Sequence, residues 1–190
     1  MVFDGIVLSI LVGFIRKGSL KGLAYLELKG ALIFPIILVI QVLVYLFQDE
    51  FPFLGAASSY IFMAVYIVGL YFLWLNRNLH GFLLIFTGVF LNFLVMAVNG
   101  GRMPVSLEAA EILDPIYIEV LKNGIYGKHA LLTESTRLAF LGDVIPVTLP
   151  FRNGQVISIG DVFMNIGVFL FIQVVMMNHE KNTTDKGKLT

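Results

Sequence analysis

Cysteine is absent from this chain. Its absence excludes disulfides, thiolate metal sites, iron–sulfur clusters and a cysteine nucleophile, and it leaves the redox compartment open. Charge is also scarce. Asp, Glu, Lys and Arg make up 14% of the 190 residues, against about a quarter in a soluble domain. The formal net charge is zero, which removes the electrostatic basis for a nucleic-acid partner. No HExxH helix, P-loop, GxSxG elbow or dinucleotide fingerprint occurs. Histidine is confined to His80, His129 and His179, far apart in sequence. No metal and no cofactor is therefore expected.

What fills the chain instead is apolar residue, 58% of the total. It gathers in runs at residues 2–15, 31–47, 58–75, 81–98 and 158–177. Lipid offers a backbone no hydrogen-bond partners, so a segment crossing it closes its own bonds as a helix of about 20 apolar residues. The expected fold is an all-α polytopic membrane helix bundle of about five transmembrane helices. The first run is short. At about 1.5 Å per residue it covers about 21 Å, so it must snorkel through Arg16 and Lys17 or draw on residues 18–23. Asp4 near its start and the basic pair after it are the reverse of a signal peptide.

Basic residues set the threading. Arg16, Lys17, Lys21 and Lys29 follow the first run, Arg77 the third, and Lys181, Lys186 and Lys188 the last. Alternate crossings place all of these on one side. Asp49, Glu50 and the slightly acidic stretch 99–157 fall on the other. The expectation is a multi-pass protein of the bacterial cell membrane, N-terminus outside and C-terminus cytoplasmic. If the first run does not span, the N-terminus and its basic linker share the cytoplasmic side. Membrane helices then occupy 1–98, a small, mostly helical extracytoplasmic subdomain 99–157, a final span 158–178, and a disordered tail 179–190.

Within 99–157, Ala109, Ile112, Leu113, Ile116, Tyr117, Val120 and Leu121 recur at helical spacing. Asp114-Pro115 reads as an N-cap followed by N1, so two short helices are expected, the second ended by Asn123-Gly124. They would either cover the bundle end or form a groove for a partner. A further short helix is expected around 138–141. Asn153-Gly154 reads as a hairpin turn, against the objection of Pro150.

The polar residues that could carry chemistry concentrate near the same end. In Asn99-Gly100-Gly101-Arg102-Met103-Pro104 the glycines permit positive φ, and successive N–H groups with Arg102 could hold a carboxylate or phosphate. The plain structural reading is a glycine C-cap with Arg102 paired to a loop carboxylate. Gly-Asp-Val occurs at 142–144 and 160–162. Ser158-Ile159-Gly160-Asp161 is a capping-box pattern, which explains Asp161 structurally; Asp143 reads as a turn residue. A functional carboxylate pair is the sharper alternative. Gln41, Asn92 and Asn165 fall at one depth, about 10 Å inside the outer surface, and suggest a polar membrane layer joining three of the helices, or simple interhelical glue. Gly5, Ser9 and Gly13 form a small-residue face for close packing, within the chain or in a dimer.

The combination NGGRMP, LGDVIP and SIGDV, with the HALLTESTRL stretch and the opening helix before a basic linker, resembles a family of small bacterial integral membrane proteins of unknown function. The resemblance implies the architecture and a bacterial membrane setting, and no activity. It marks Asn99 to Pro104, Gly142, Asp143, Gly160 and Asp161.

Two functions follow as expectations. One is a non-enzymatic accessory, binding or carrier component, its outer face meeting an anionic group through Asn99, Gly100, Gly101 and Arg102. Its partners would be membrane lipids and other membrane subunits. The other is a membrane enzyme acting on a lipid headgroup with Asp143 and Asp161, assisted by His129 or Glu134.

Overall fold

The computed structural model describes residues 2–24, 26–48, 50–122, 128–149 and 152–187. The chain is mostly helical. Its elements in order are α1 (Val2–Ile15), α2 (Lys21–Ala24), α3 (Ile33–Phe47), α4 (Pro52–Leu75), α5 (Phe82–Val98), β1 (Met103–Val105), α6 (Leu107–Ala110), α7 (Pro115–Lys122), β2 (His129–Leu131), a 3-10 turn (Ala139–Leu141), β3 (Ile145–Leu149), β4 (Arg152–Ile157) and α8 (Ile159–Gly187).

Each apolar run becomes a helix. At its N-terminus α4 extends beyond the run, starting at Pro52 because proline without an N–H fits the first helical turn. Two segments, Ala57–Leu75 and Ile159–Met177, are long and apolar enough to cross a membrane. The helical parts Gly5–Ile15, Ile33–Phe47 and Phe82–Val98 are shorter, so the count of about five spans exceeds what helix length alone supports. At the other end of the chain α8 stays helical to Gly187, where the sequence suggested a disordered tail from His179.

Helix α8 is the hub, with α5 and α1 packed along it. Glycine makes both seams close. A methyl on Gly88 would strike Gly160 O, and one on Gly81 would strike Gly167 O, so α5 and α8 run antiparallel with their backbones in contact. On the other seam Gly5 faces Asn165 and Gly13 faces Met176, so α1 runs parallel to α8. Ser9, fully buried between them, donates to Phe169 O (3.1 Å). The Gly5, Ser9, Gly13 face is thus used within the chain. Beyond α5 lie α4 and then α3. Val44, Phe62, Val95 and Met96 share one cluster, and Phe72, Leu73 and Phe82 another against which Ile33 packs. Neighbours in the series α3, α4, α5 therefore alternate in direction.

The stretch between α5 and α8 departs from a mostly helical subdomain. Its described residues hold two short helices, a 3-10 turn and two two-stranded sheets. The helices are where the spacing placed them: Asp114 Oδ1 accepts from Ile116 N (3.0 Å) as the cap of α7. The hairpin exists as antiparallel β3–β4, but Leu149 pairs with Arg152, so Asn153-Gly154 lies inside β4 rather than at the turn. Gly154 serves a different purpose, since a Cβ there would lie 2.6 Å from Ile112 O. Pro150 and the expected stop at Asn123-Gly124 lie outside the described residues, as does Asp49. The sheet β1–β2 is parallel, with Met103 opposite His129 and Val105 opposite Leu131. Val105 also bridges Asp143, so β1 sits between β2 and the Gly142-Asp143 turn. Met103 and Leu141 join the Val95–Met96 cluster and anchor this cap to the bundle.

The glycines give a test. Gly160→Ala forces a methyl into Asn92 and Gly88 and should cost about 1–3 kcal/mol by overpacking. Gly100→Ala meets nothing within 4 Å but holds φ at 68°, a strain of about 1–2 kcal/mol. Thermal unfolding in detergent should also show helix–helix separation for the Gly160 variant alone; equal behaviour would reject the close α5–α8 contact.

Candidate functional site

The capping box forms as its spacing implied. Asp161 N donates to Ser158 Oγ (3.0 Å), and Ser158 N donates to Asp161 Oδ2 (3.0 Å). Buried Asn92 on α5 closes this box into a ring. Ser158 Oγ donates to Asn92 Oδ1 (2.8 Å), and Asn92 Nδ2 donates to Asp161 Oδ1 (3.1 Å). Three side chains satisfy one another, and both oxygens of Asp161 are engaged.

Of the three residues expected to share a polar layer, Asn92 joins α5 to α8 through Ser158 and Asp161 rather than through Asn165. Asn165 donates to Asp161 O (2.8 Å) and faces Gly5 of α1. Gln41 lies on α3, which packs on α4, and is only half-buried. A second polar node escaped the sequence reading. Buried Gln173 donates to Ser9 O (2.6 Å) and accepts from Arg16 Nη1 (2.9 Å), tying α8 to α1. Asn76 does the same for the linker before α3: it donates to Lys29 O and accepts from Lys29 N, both at 2.9 Å. Neither had a motif to mark it, and both are polar residues inside apolar helices or at their ends.

The NGGRMP residues are taken up in structure. Gly101 N donates to Met96 O (2.8 Å), Asn99 N to Met96 O (3.0 Å) and Arg102 N to Asn99 O (3.3 Å). Gly100 and Gly101 have φ of 68° and 78°, the left-handed close of a helix. These N–H groups are spent on the turn rather than offered to an anion. Asn99 is a clip: its Nδ2 donates to Val95 O (2.7 Å) and Arg137 O (2.8 Å), and its Oδ1 accepts from Arg137 N (2.9 Å). Arg102 Nη2 donates to Ser58 Oγ on α4 (2.9 Å).

Asp143 is held differently. Its backbone is pinned to β1, its N donating to Pro104 O (2.8 Å) and its O accepting from Ser106 N (2.9 Å). Gly142 permits that approach, because a Cβ there would lie 2.6 Å from Pro104 O. The side chain is 9% exposed; its Oδ2 lies 3.6 Å from His129 Nε2, and its Oδ1 has no hydrogen-bond partner among the described residues. Burial, and then the neighbouring Asp161 charge, push its pKa up to about 7, with Lys128 pulling it down. Lys128 is half-buried overall with its ammonium enclosed. It is held above its ordinary value by Tyr66 first, then by Asp143 and Asp161, against the effect of burial. Met103 N donates to Lys128 O (2.7 Å), so strand β1 positions the cation and the carboxyl together. Lys128 and Tyr66 were missed: a lysine in a polar stretch reads as solvated, and a tyrosine in an apolar helix as core. Glu134 is exposed in the turn of Thr133 to Thr136.

The fold and site thus define a helical bundle capped at one end by a small mixed subdomain, with a buried ionisable cluster at the seam. The chain belongs to a family of unknown function, DUF5317, whose model matches residues 25–173. That match leaves α1 outside. An uncharacterized protein of Thermotoga maritima is 34% identical over 171 residues, covering 90% of this chain and 89% of that one. No solved structure matches.

The ring predicts coupling. Ser158→Ala should cost about 1 kcal/mol as a lost cap, and with Asn92→Ala the pair should depart from additivity by about 0.5–3 kcal/mol. Additive losses in a double-mutant cycle would mean that Ser158 and Asn92 do not share the bond.

Proposed function

We propose that this chain is a multi-pass bacterial membrane protein of about five spans, N-terminus outside, and a non-enzymatic binding, accessory or carrier component whose working site is the cluster around Asp143 and Asp161. The observation that carries the membrane reading is apolar exposure. Helix α3 packs on α4 and presents Phe34, Ile36, Leu38, Val39, Leu43 and Leu46 outward. Only 28% of Ala57–Leu75 and 33% of Ile159–Met177 is buried, whereas a core helix of a soluble protein is mostly enclosed. Water does not tolerate such a continuous apolar belt, and lipid does.

Direction and charge support the count. Helices α3, α4 and α5 alternate, α8 opposes α5, and α1 parallels α8, which is the alternation that successive crossings require. Arg16, Lys29 and Arg77 belong to one end of the bundle and the cap to the other. Arg77 lies 4.5 Å over the Trp74 ring, a pairing suited to a membrane interface. The shorter helices fit if the bilayer thins or flanking residues snorkel.

The engaged carboxylate of Asp161 favours binding over catalysis, because a base or a metal ligand needs an available oxygen. The His129–Asp143 pair keeps the enzyme reading as the alternative, on a lipid headgroup.

The absence of native cysteine makes topology measurable. Glu134→Cys should react with an impermeant maleimide on intact cells, and Arg77→Cys only after permeabilisation; equal labelling from outside would overturn the threading. Vesicles of phosphatidylglycerol incubated with purified protein should release no headgroup beyond the Asp143→Asn background. Release that depends on Asp143 would replace the binding reading with the enzymatic one.

A further inference from the structure

We propose that Asp143 and His129 form a one-proton binding site at the seam between the cap and helices α5 and α8. It rests on the reading of this cluster as the working site and not on the membrane threading.

The first support is geometric. The Asp143 side chain is about nine-tenths enclosed, and its Oδ1 lacks a partner among the described residues. An ionised carboxylate needs hydrogen-bond donors at both oxygens, so a bare buried oxygen favours the neutral acid. The second is the charge count. The groups facing Asp143 are Lys128 before β2, His129 in β2 and Asp161 on α8, with Tyr66 of α4 against Lys128. Helix α5 brings the neutral Asn92, and β1 brings Met103, Pro104 and Val105. Among the described residues, two carboxylates and one ammonium leave a single negative charge uncompensated, which an enclosed site disfavours. One proton cancels it. Asp161 is not the holder, since its oxygens already accept from Asn92 Nδ2 and Ser158 N. The third is access. His129 is 24% exposed and its Nε2 lies 3.6 Å from Asp143 Oδ2. That is longer than a hydrogen bond and within ion-pair distance.

The step is simple. A proton from solvent bonds to an Asp143 carboxylate oxygen, directly or after resting on the imidazole, and the cluster goes from one net negative charge to none. Lys128 is then left with Asp161 as its anionic partner. Proton uptake thereby changes how the lysine before β2 is held against α8. The upward shift of Asp143 to about 7 agrees with this.

The test is a pH titration of the full-length purified chain by infrared difference spectroscopy, reading the C=O stretch of a protonated carboxyl. A band should grow as pH falls through about 7, survive Asp161→Asn and vanish in Asp143→Asn. Lys128→Met should move its midpoint upward, because the lysine cation lowers the Asp143 value. No carboxyl band above about pH 5, or a band that persists in Asp143→Asn, overturns the proposal. If Asp143→Asn does not fold, the Lys128→Met midpoint decides: an upward move supports the site, and an unmoved midpoint overturns it. Wild-type stability should fall as pH rises from about 4 to about 7, since the unfolded chain releases this proton first. A failed labelling pattern would leave the titration intact, and a missing titration would leave the threading intact.

Discussion

The ring of Ser158, Asn92 and Asp161 is the constraint on which the rest of the structure depends. It starts α8, and it fixes α8 to α5 at the level where the backbones of Gly88 and Gly160 touch. With the backbones so close, the buried polar atoms of Asn92 and Ser158 find their partners in the ring itself. Buried polar groups in an apolar bundle are costly when unpaired, and a closed ring removes that cost while excluding any other register of α5 against α8. One residue slipped along either helix would break both Asn92 bonds and bring side chains onto the glycine contacts.

The position of the cap follows from that seam. With α5 and α8 held together, the chain leaves α5 at Asn99 and enters α8 at Ser158 at the same end of the bundle. The stretch between them folds back on its own exit strand. Three-residue β1 is covered on both sides, by β2 and by the Gly142-Asp143 turn. Its Val105 packs with Ala110 and Leu121 in a small core of the cap, while its Met103 packs on the bundle. Strand β1 therefore places Lys128, His129 and Asp143 beside the ring.

Much of the helical frame was legible. Hydropathy marks each long helix, and Ser158-Ile159-Gly160-Asp161 marks the start of α8, because these signals are local. The glycine close at Gly100 and Gly101 and the Asp114 cap were legible for the same reason. The parallel β1–β2 pair was not. Its strands are short, far apart in sequence and too brief for an alternating pattern, and Pro104 argues against a strand at all. Pro104 is tolerated because its carbonyl accepts from Asp143 N. Gln41 misled because equal depth in separate helices does not decide which faces meet. For the site, Asp143 and Asp161 were named from a repeated tripeptide. Lys128, the group that opposes them, was invisible until the fold enclosed it.

That enclosure bears on why the cluster exists. A buried ion group is a poor source of stability: desolvation offsets most of the attraction, and a well-packed apolar replacement is often as stable or more so. The ring needs only Asp161 among the charged residues, and the β1 bridge uses the backbone of Asp143, not its carboxyl. Asparagine or leucine at 143 would satisfy the strand contacts equally well. An acid with a bare buried oxygen, set between a lysine and a histidine, is thus not required by the strand contacts. The contribution we propose for it is the exchange of a proton, and of the charge balance with it, at a place where the cap meets the helices.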